Sequence, residues 1–351
     1  MTVKVSRPSI DIRGTLDELN KPSGIAGNAM LAAETPQEQF NLIGAGRKNL
    51  IINGGFDVWQ RGTSFTPTGA DYMADRWFMG GGDYACTVTK QASTLPDGSE
   101  VNTMLISYTA TGTNAVDPYQ GIEDYKVLSG KTIAISCWVR TNISGLKFRQ
   151  YSTANFGSDA VPDGQWNKLV TTVTLGAVTS TNKVANSSFF GLVSGGAIVT
   201  KSGDYLEMTQ FQLELGSVAT PFEHRSYGEE LALCQRYYET SFAHGVTPSN
   251  GPNSTSLVSD WMTGIASNRS NASATIFFKV RKRVAPMLNG YGASNGYLGY
   301  KNMTDATDFA WNQSSVVVRA ATQVGFMLSQ GFSNGNSFYI QFHYTADAEL
   351  Y

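Results

Sequence analysis

The chain has 351 residues, 26 of them basic and 28 acidic, and charged residues make up only 15% of it. A net charge this close to zero provides no broad electrostatic footprint for nucleic acid or an anionic membrane, and no window reaches the ~18 apolar residues of a membrane span. The length exceeds what a single core usually fills, so more than one domain is expected, and 36 glycines with 11% aromatics indicate a β-rich, turn-rich protein.

Residues 1–48 are poor in large apolar side chains. Their start, Met1-Thr-Val-Lys-Val-Ser-Arg-Pro8, lacks the apolar run of a secretory signal. Synthesis in a cytosol, with release by another route such as lysis, is therefore expected. One local element stands out, Thr35-Pro-Gln-Glu-Gln-Phe-Asn-Leu-Ile-Gly44. Thr35 and Glu38 form a capping box, Pro36 suits the first helical position and Gly44 the stop. So short a helix is marginal alone, which assigns Phe40, Leu42 and Ile43 to attachment or oligomerisation. An arm docked on a larger assembly and plain disorder are both compatible with this composition.

From Asn49 to Ser226 the pattern is strand, turn, strand. In Lys131–Arg140, Ile133, Ile135, Cys137 and Val139 alternate with Thr132, Ala134, Ser136 and Trp138, the period of a strand with one buried face. Pro162-Asp-Gly164 supplies a turn before the β-branched run Gln165–Leu175, and further strands are expected at Thr103–Thr109, Ser188–Val193 and Asp204–Leu215. Many short strands without intervening helices predict an antiparallel β-sandwich of jelly-roll type over 49–226. Tyr227, Leu231, Cys234 and Tyr238 then form an apolar stripe with helical spacing. This predicts a linking helix over 227–240 whose stripe, Leu231 and Tyr238 above all, meets an adjoining domain or other copies of the chain. Residues 241–351 return to a β pattern, with Ala272, Ala274, Ile276, Phe278 and Val280 on one side of a strand and Phe338, Ile340, Phe342 and Tyr344 on one side of another. Between them lies a Gly/Asn/Tyr segment, Asn289–Asn302. Glycines permit projecting loops and tyrosines supply rigid amphipathic contact area, so this segment is read either as a recognition surface or as an ordinary hairpin loop.

No catalytic constellation can be assembled. His224, His244 and His343 are scattered, no G-x-S-x-G, H-E-x-x-H or P-loop is present, and Asp71, Asp75, Glu123, Asp124, Asp159 and Asp163 read as solvated surface carboxylates. The three cysteines, Cys86, Cys137 and Cys234, lack metal spacing and read as small buried apolar residues. No catalytic residue, metal ligand or cofactor is assigned. The turn Asn53-Gly-Gly-Phe-Asp57 offers oxygens to a structural Ca²⁺, a weak signal. A sugar-binding surface needs an aromatic to stack on a pyranose beside amide, acid or guanidinium groups. Candidates of that type are Tyr291, Tyr297, Tyr300, Trp311 and Asn295 in the C-terminal region, and Trp138 and Tyr119 in the sandwich, although strand aromatics are more often packed than presented.

The run Asn49-Leu-Ile-Ile-Asn-Gly-Gly-Phe-Asp-Val-Trp-Gln-Arg-Gly-Thr-Ser-Phe65, with Tyr72-Met-Ala-Asp-Arg-Trp77, resembles the opening of carbohydrate-binding-module-like jelly rolls in bacteriophage tail fibres. Gly203–Glu239 resembles the end of the same module and its junction to a distal domain. Met30–Gly44 is similar to short helical attachment segments, and Phe277–Pro286 to a strand-to-Pro element of distal domains. The resemblance implies a homotrimeric virion protein. Its residues 1–48 would bind other phage tail or virion proteins, and the jelly roll or the C-terminal domain would bind bacterial surface polysaccharide or lipopolysaccharide. Gly55 stands where many relatives carry an acid, and Gln210 and Gln212 stand in place of an aspartate, which weakens the calcium expectation. The alternatives are a structural virion component that binds no receptor, and a glycan-degrading tailspike with a carboxylate pair in a cleft.

Overall fold

A computed structural model describes residues 48–69, 71–79, 85–110, 118–123, 125–150, 154–177, 188–194, 200–249, 264–266, 271–292, 299–302, 308–309, 316–331 and 338–349. The helix expected at Thr35–Gly44, with Phe40, Leu42 and Ile43, lies outside them. Residues 49–351 form one compact unit, separate from 1–48.

Two antiparallel sheets face each other at the start of this unit. One has six strands in the order β1 (Ser64–Phe65), β3 (Cys86–Thr94), β4 (Glu100–Tyr108), β11 (Tyr205–Leu215), β6 (Thr132–Thr141) and β9 (Asn167–Thr174). The other has five, in the order β2 (Trp77–Met79), β5 (Pro118–Ile122), β10 (Ser188–Ser194), β7 (Leu146–Gln150) and β8 (Ala154–Phe156). This is the expected β-sandwich. Its core takes Val88, Met104, Ile106, Leu206 and Met208 from the first sheet and Trp77, Met79, Phe148, Phe190 and Leu192 from the second. Ile133, Ile135, Cys137 and Val139 point into that core as the alternation predicts, and all three cysteines are buried and free. Ala134 and Ser136 are buried as well. They lie opposite Glu214 and Gln212, which hold the returning segment Thr220–Glu223 over that end of the sheet through Thr220 Oγ1 (2.6 Å), Pro221 O (3.3 Å) and Glu223 N (2.8 Å).

Strand β11 carries a bulge between Thr209 and Gln212. Its extra residue shifts the inward set from Leu206 and Met208 to Phe211 and Leu213. Gln210 sits in the bulge at φ 51, a left-handed conformation that costs a non-glycine residue about 1 kcal/mol. Beyond the bulge the Asn49–Gly54 segment takes over from β4, with Leu50 N donating to Leu213 O and Phe211 N to Gly54 O, both at 2.9 Å. A Cβ on Gly54 would stand 2.1 Å from Phe211 O, so only glycine fits there. Asn53, also left-handed at φ 56, is fully buried. Its amide bridges Val58 N, Val58 O and Asp75 O, and its carbonyl accepts from Trp77 Nε1.

Helix α1 (Tyr227–Gln235) starts at a Ser226/Glu229 capping box. It ends earlier than the stripe suggests. Tyr238 belongs to strand β12 (Tyr238–Thr240), and the buried helical residues are Glu230, Cys234 and Gln235, while Tyr227 is exposed. Glu230 is buried because Asn53 N and Arg225 Nη1 donate to its carboxylate at 2.5 and 3.3 Å.

The remaining strands are β13 (Gly264–Ala266), β14 (Asn271–Phe277), β15 (Met287–Gly292), β16 (Gly299–Asn302), β17 (Asp308–Phe309), β18 (Val316–Ala321), β19 (Gly325–Gly331) and β20 (Phe338–Asp347). Strand β20 pairs with β12, β13, β15 and β16, and β14, β19 and β18 form a three-stranded sheet. Of the two predicted stripes, Ile276, Phe278 and Tyr344 are buried as expected.

A buried charged cluster joins the sandwich to the last strand. Arg76, 1% exposed, pairs with Glu349, donates to Gly121 O at 2.8 Å and lies 3.5 Å from the Tyr237 ring. Arg61 lies 3.6 Å from the Tyr238 ring and reaches Glu349 and Asp347 at 3.3 and 3.4 Å. Burial opposes the Arg61 charge, but Glu349, Asp347, Tyr238 and Asp75 outweigh it and hold its pKa above the ordinary value. Asp75, read from sequence as a surface acid, is fully buried and accepts from Gln60 N (2.6 Å) and Gln60 Nε2 (2.8 Å). In the Phe277–Pro286 segment, the buried Lys282 donates to Glu239 and to Gln235 O at the end of α1, both at 2.6 Å. Arg283 donates to Ala348 O and Glu349 O, both at 3.1 Å.

Candidate functional site

The outward residues of the six-stranded sheet form the best-built surface in the described part of the chain. Because β11 buries Leu206 and Met208, Tyr205, Glu207 and Thr209 face away from the core. Register puts Ser107 beside Tyr205, Leu105 and Arg140 on either side of Glu207, and Trp138 beside Thr209 with Lys168 next in the row.

Glu207 is 2% exposed, a position a carboxylate tolerates only when its oxygens are satisfied. Thr103 Oγ1 donates to its Oε1 at 2.7 Å, and Arg140 Nε (2.9 Å) and Nη2 donate to its Oε2. The pair fixes the Arg140 guanidinium 5.1 Å from the Trp166 ring centroid, with its side chain 37% exposed. Trp166 is placed by the Pro162-Asp-Gly164 turn, in which Asp163 Oδ1 accepts from Gln165 N (2.9 Å) and Asn167 Nδ2 (3.1 Å). Gly164 sits at φ 73, and a Cβ there would meet the Tyr205 hydroxyl at 3.1 Å. Around these groups lies an open cleft of about 380 Å³, lined by Leu105, Ser107, Arg140, Asp204, Tyr205 and Glu207 among others.

A second cleft, of about 300 Å³, lies farther along the same two strands and is lined by Asp57, Glu100, Asn102, Gln210, Phe222 and His224 among others. Asn102 Nδ2 donates to Asp57 Oδ1 at 2.6 Å, and the Phe222 and His224 rings meet edge to face at 5.0 Å.

The expected site residues fall in three groups. Trp138 lies on this outer face, half-buried. Tyr119 does not serve as a stacking platform: it is fully buried with Tyr237 under Ile52 and Phe78, on the outer side of the other sheet. Tyr238 is likewise enclosed beneath Arg61, so its ring serves the chain's own packing, and Leu231 is half-buried. Tyr291 is half-buried edge-on to Phe242 at 5.3 Å, and Tyr300 lies in β16. Tyr297, Asn295 and Trp311 lie outside the described residues. Sequence reasoning passed over Arg140, Glu207 and Tyr205. The alternation that turned Trp138 outward also turns Arg140 outward, two residues on, and an acid between Leu206 and Met208 was the signal for Glu207.

The Asn53–Asp57 turn does not fit a calcium ion. The Asn53 oxygens and Asp57 Oδ1 already accept from chain donors, Gly55 has no side chain, and Gln212 is engaged by Glu214 and the 220–223 segment. Among the described residues no three His, Cys, Asp or Glu side chains converge as a metal set, and no helix is long and apolar enough to cross a membrane.

No family model and no curated protein matches the chain. Among solved structures it is similar to the enzymatically active domain of bacteriophage CBA120 tailspike protein 4, at 13% identity over 48% of this chain and 21% of that one, with a TM-score of 0.29. It is also similar to the CBM22-1 xylan-binding domain from Paenibacillus barcinonensis, at 14% identity, 50% and 100% coverage and a TM-score of 0.28. A third is the family 11 carbohydrate-binding module from Clostridium thermocellum, at 14% identity, 44% and 100% coverage and a TM-score of 0.25. The chain spans about a fifth of the length of the phage protein. Similarities this faint establish neither a shared fold nor a shared ligand, and the chemistry of the face stands on its own residues.

Proposed function

We propose that this protein binds glycan without turning it over, on the outer face of its six-stranded sheet, and that it does so as a subunit of a bacteriophage tail fibre. The observation that carries the binding reading is an Arg140 side chain fixed by the buried Glu207, 5.1 Å from the Trp166 ring and sharing a cleft with Tyr205, with Trp138 two residues away on the same face of β6. Indole faces suit the apolar face of a pyranose, while a guanidinium, a serine hydroxyl and a tyrosine hydroxyl in one open cleft suit its ring of hydroxyls. Both oxygens of Glu207 accept hydrogen bonds from the chain, which suits a positioning role better than proton transfer.

The fibre role rests on the sequence resemblance at Asn49–Phe65 and Gly203–Glu239. It brings with it a homotrimer, attachment to the particle through residues 1–48 and a bacterial surface polysaccharide or lipopolysaccharide as receptor. Three copies on one particle would turn weak single-site binding into adhesion. The test is binding of fluorescently labelled full-length protein to host cells, with Trp138→Ala and Arg140→Ala in parallel. Binding that both substitutions abolish supports the reading. Binding by neither wild type nor variants turns it toward a structural virion component, and depolymerisation of host polysaccharide by the pure protein toward a tailspike.

A further inference from the structure

The second cleft opens where β4 and β11 part. Their pairing ends at Met104 and Met208, and beside the bulge Thr209 Oγ1 donates to Asn102 O at 2.7 Å. By strand alternation Glu100 and Asn102 point to the side of the sheet on which Met104 and Ile106 are buried, and Ala92, paired with Asn102 from β3, points the same way. Leu105, Ser107, Tyr205 and Glu207 of the first cleft point to the opposite side. The two clefts are therefore separate, and a ligand in the second does not continue from the first.

The polar groups of this second cleft are positioned by the chain yet left open. Asn102 Nδ2 donates to Asp57 Oδ1 at 2.6 Å and so fixes the carboxylate. Among the described residues Asp57 Oδ2 accepts no hydrogen bond, and the Gln210 side-chain amide, which also lines the cleft, makes none. Gly55 lies against the open oxygen. A Cβ there would stand 3.1 Å from Asp57 Oδ2 and 3.6 Å from two carbons of the half-buried Phe222 ring. The backbone at Gly55 is not left-handed, so conformation does not demand a glycine. What the glycine leaves is an unfilled place between a carboxylate oxygen and an aromatic ring.

A fixed acceptor, an amide that can both donate and accept, and an aromatic ring across a gap match the chemistry of a sugar, whose hydroxyls donate and accept and whose C–H face is apolar. The volume of about 300 Å³ lies at the small end of ligand pockets, which suits one sugar residue better than a chain. Asp57 and Glu100 bring two carboxylates to the cleft, and Lys90 Nζ, on the Asp57 carbonyl at 3.1 Å, offsets one of them. An acidic sugar would meet like charge there. We infer that this cleft is a second glycan site, separate from the Arg140 face, which takes a single uncharged sugar residue at a chain end or branch. Asp57 Oδ2 and the Gln210 amide bind its hydroxyls and Phe222 its apolar face. The inference rests on the glycan-binding reading above for the class of ligand.

The test is a saturation-transfer NMR titration of the full chain with the methyl glycosides of glucose, galactose, mannose, rhamnose and N-acetylglucosamine, and with galacturonate as the acidic counterpart. At least one uncharged glycoside should bind, and more tightly than galacturonate. Asp57→Asn keeps the acceptor for Asn102 and replaces only the open oxygen, and Gly55→Ala puts a methyl group into the gap. Each should weaken that glycoside about tenfold, with the unfolding midpoint checked alongside. Unchanged affinity in either variant, tighter binding of galacturonate, or no binding of any glycoside would each overturn the inference. None of these decides the outer-face reading, which stands if Trp138→Ala and Arg140→Ala abolish binding to cells and falls if wild type does not bind them.

Discussion

Replacing Glu349 by alanine tests how the last strand is fastened to the sandwich. The Glu349 side chain is fully buried and holds two arginines, Arg76 at 1% exposure and Arg61 at 3.3 Å. Without it Arg76 keeps the Gly121 carbonyl and the Tyr237 ring, and Arg61 keeps Asp347 at 3.4 Å and Asp75 at 3.8 Å. None of these replaces the carboxylate lost from a site closed to water. Removing one partner of a buried pair costs about 3–5 kcal/mol, because the other charge stays buried. The Lys147–Asp159 pair, at 3.0 Å with side chains 35% and 53% exposed, is the control. Asp159→Ala should cost less than about 1 kcal/mol. In urea unfolding followed by tryptophan fluorescence, with a slope near 3 kcal/mol/M, Glu349→Ala should lower the midpoint by about 1–1.7 M and Asp159→Ala by under about 0.3 M. Equal midpoints for the two variants would show that the cluster does not carry the junction. The apolar double replacement Arg76→Met/Glu349→Leu should recover most of the loss.

The same cluster gives a pH prediction. Burial raises the Asp75 pKa from an ordinary 3.8 to about 6, against the opposing pull of Arg61 and the Gln60 hydrogen bonds. The folded state thus holds this proton more tightly than the unfolded chain. The contribution is full below about pH 4 and is lost as pH rises through about 6, a change of about 3 kcal/mol. Asp75→Asn should remove that term, so the stability difference between variant and wild type should move by that amount between pH 4 and 7; a constant difference would refute it. Gly54→Ala should destabilise by about 3 kcal/mol, since its Cβ would stand 2.1 Å from Phe211 O; a midpoint shift too small to resolve in the same urea assay would contradict that contact. Lys282→Ala leaves Glu239 with only Tyr344 Oη at 2.8 Å and Lys279 N at 3.0 Å. It should cost about 3 kcal/mol or more by calorimetry, and an unchanged Tm would show the pair to be dispensable.

What the sequence made legible was what repeats with period two. The Ile133–Val139 alternation placed a strand, its buried face and the outward Trp138, and Pro162-Asp-Gly164 placed a turn. Two kinds of feature carry no such signature. The bulge at Gln210 changes the phase of β11 midway, so its inward residues do not alternate throughout. Buried charges such as Asp75, Glu207, Glu239 and Lys282 look in sequence like solvated ones, because their partners lie far along the chain, as Arg76 and Glu349 do. The helical stripe misled for a related reason: Tyr238 continues its spacing but leaves the helix after Gln235 to pair in β12. A fragment ending near Glu239 would strip the carboxylates of Asp347 and Glu349 from Arg61 and Arg76, and Lys282 from Glu239, so binding is better located by point variants of the whole chain.

The most direct measurement is the affinity of the full-length protein for host cells or their purified polysaccharide, compared among wild type, Trp138→Ala and Tyr291→Ala. If the sheet face is the contact surface, Trp138→Ala loses at least tenfold in affinity with its unfolding midpoint retained, and Tyr291→Ala binds like wild type. Wild-type affinity in Trp138→Ala together with loss in Tyr291→Ala would move recognition to the C-terminal region and contradict the account.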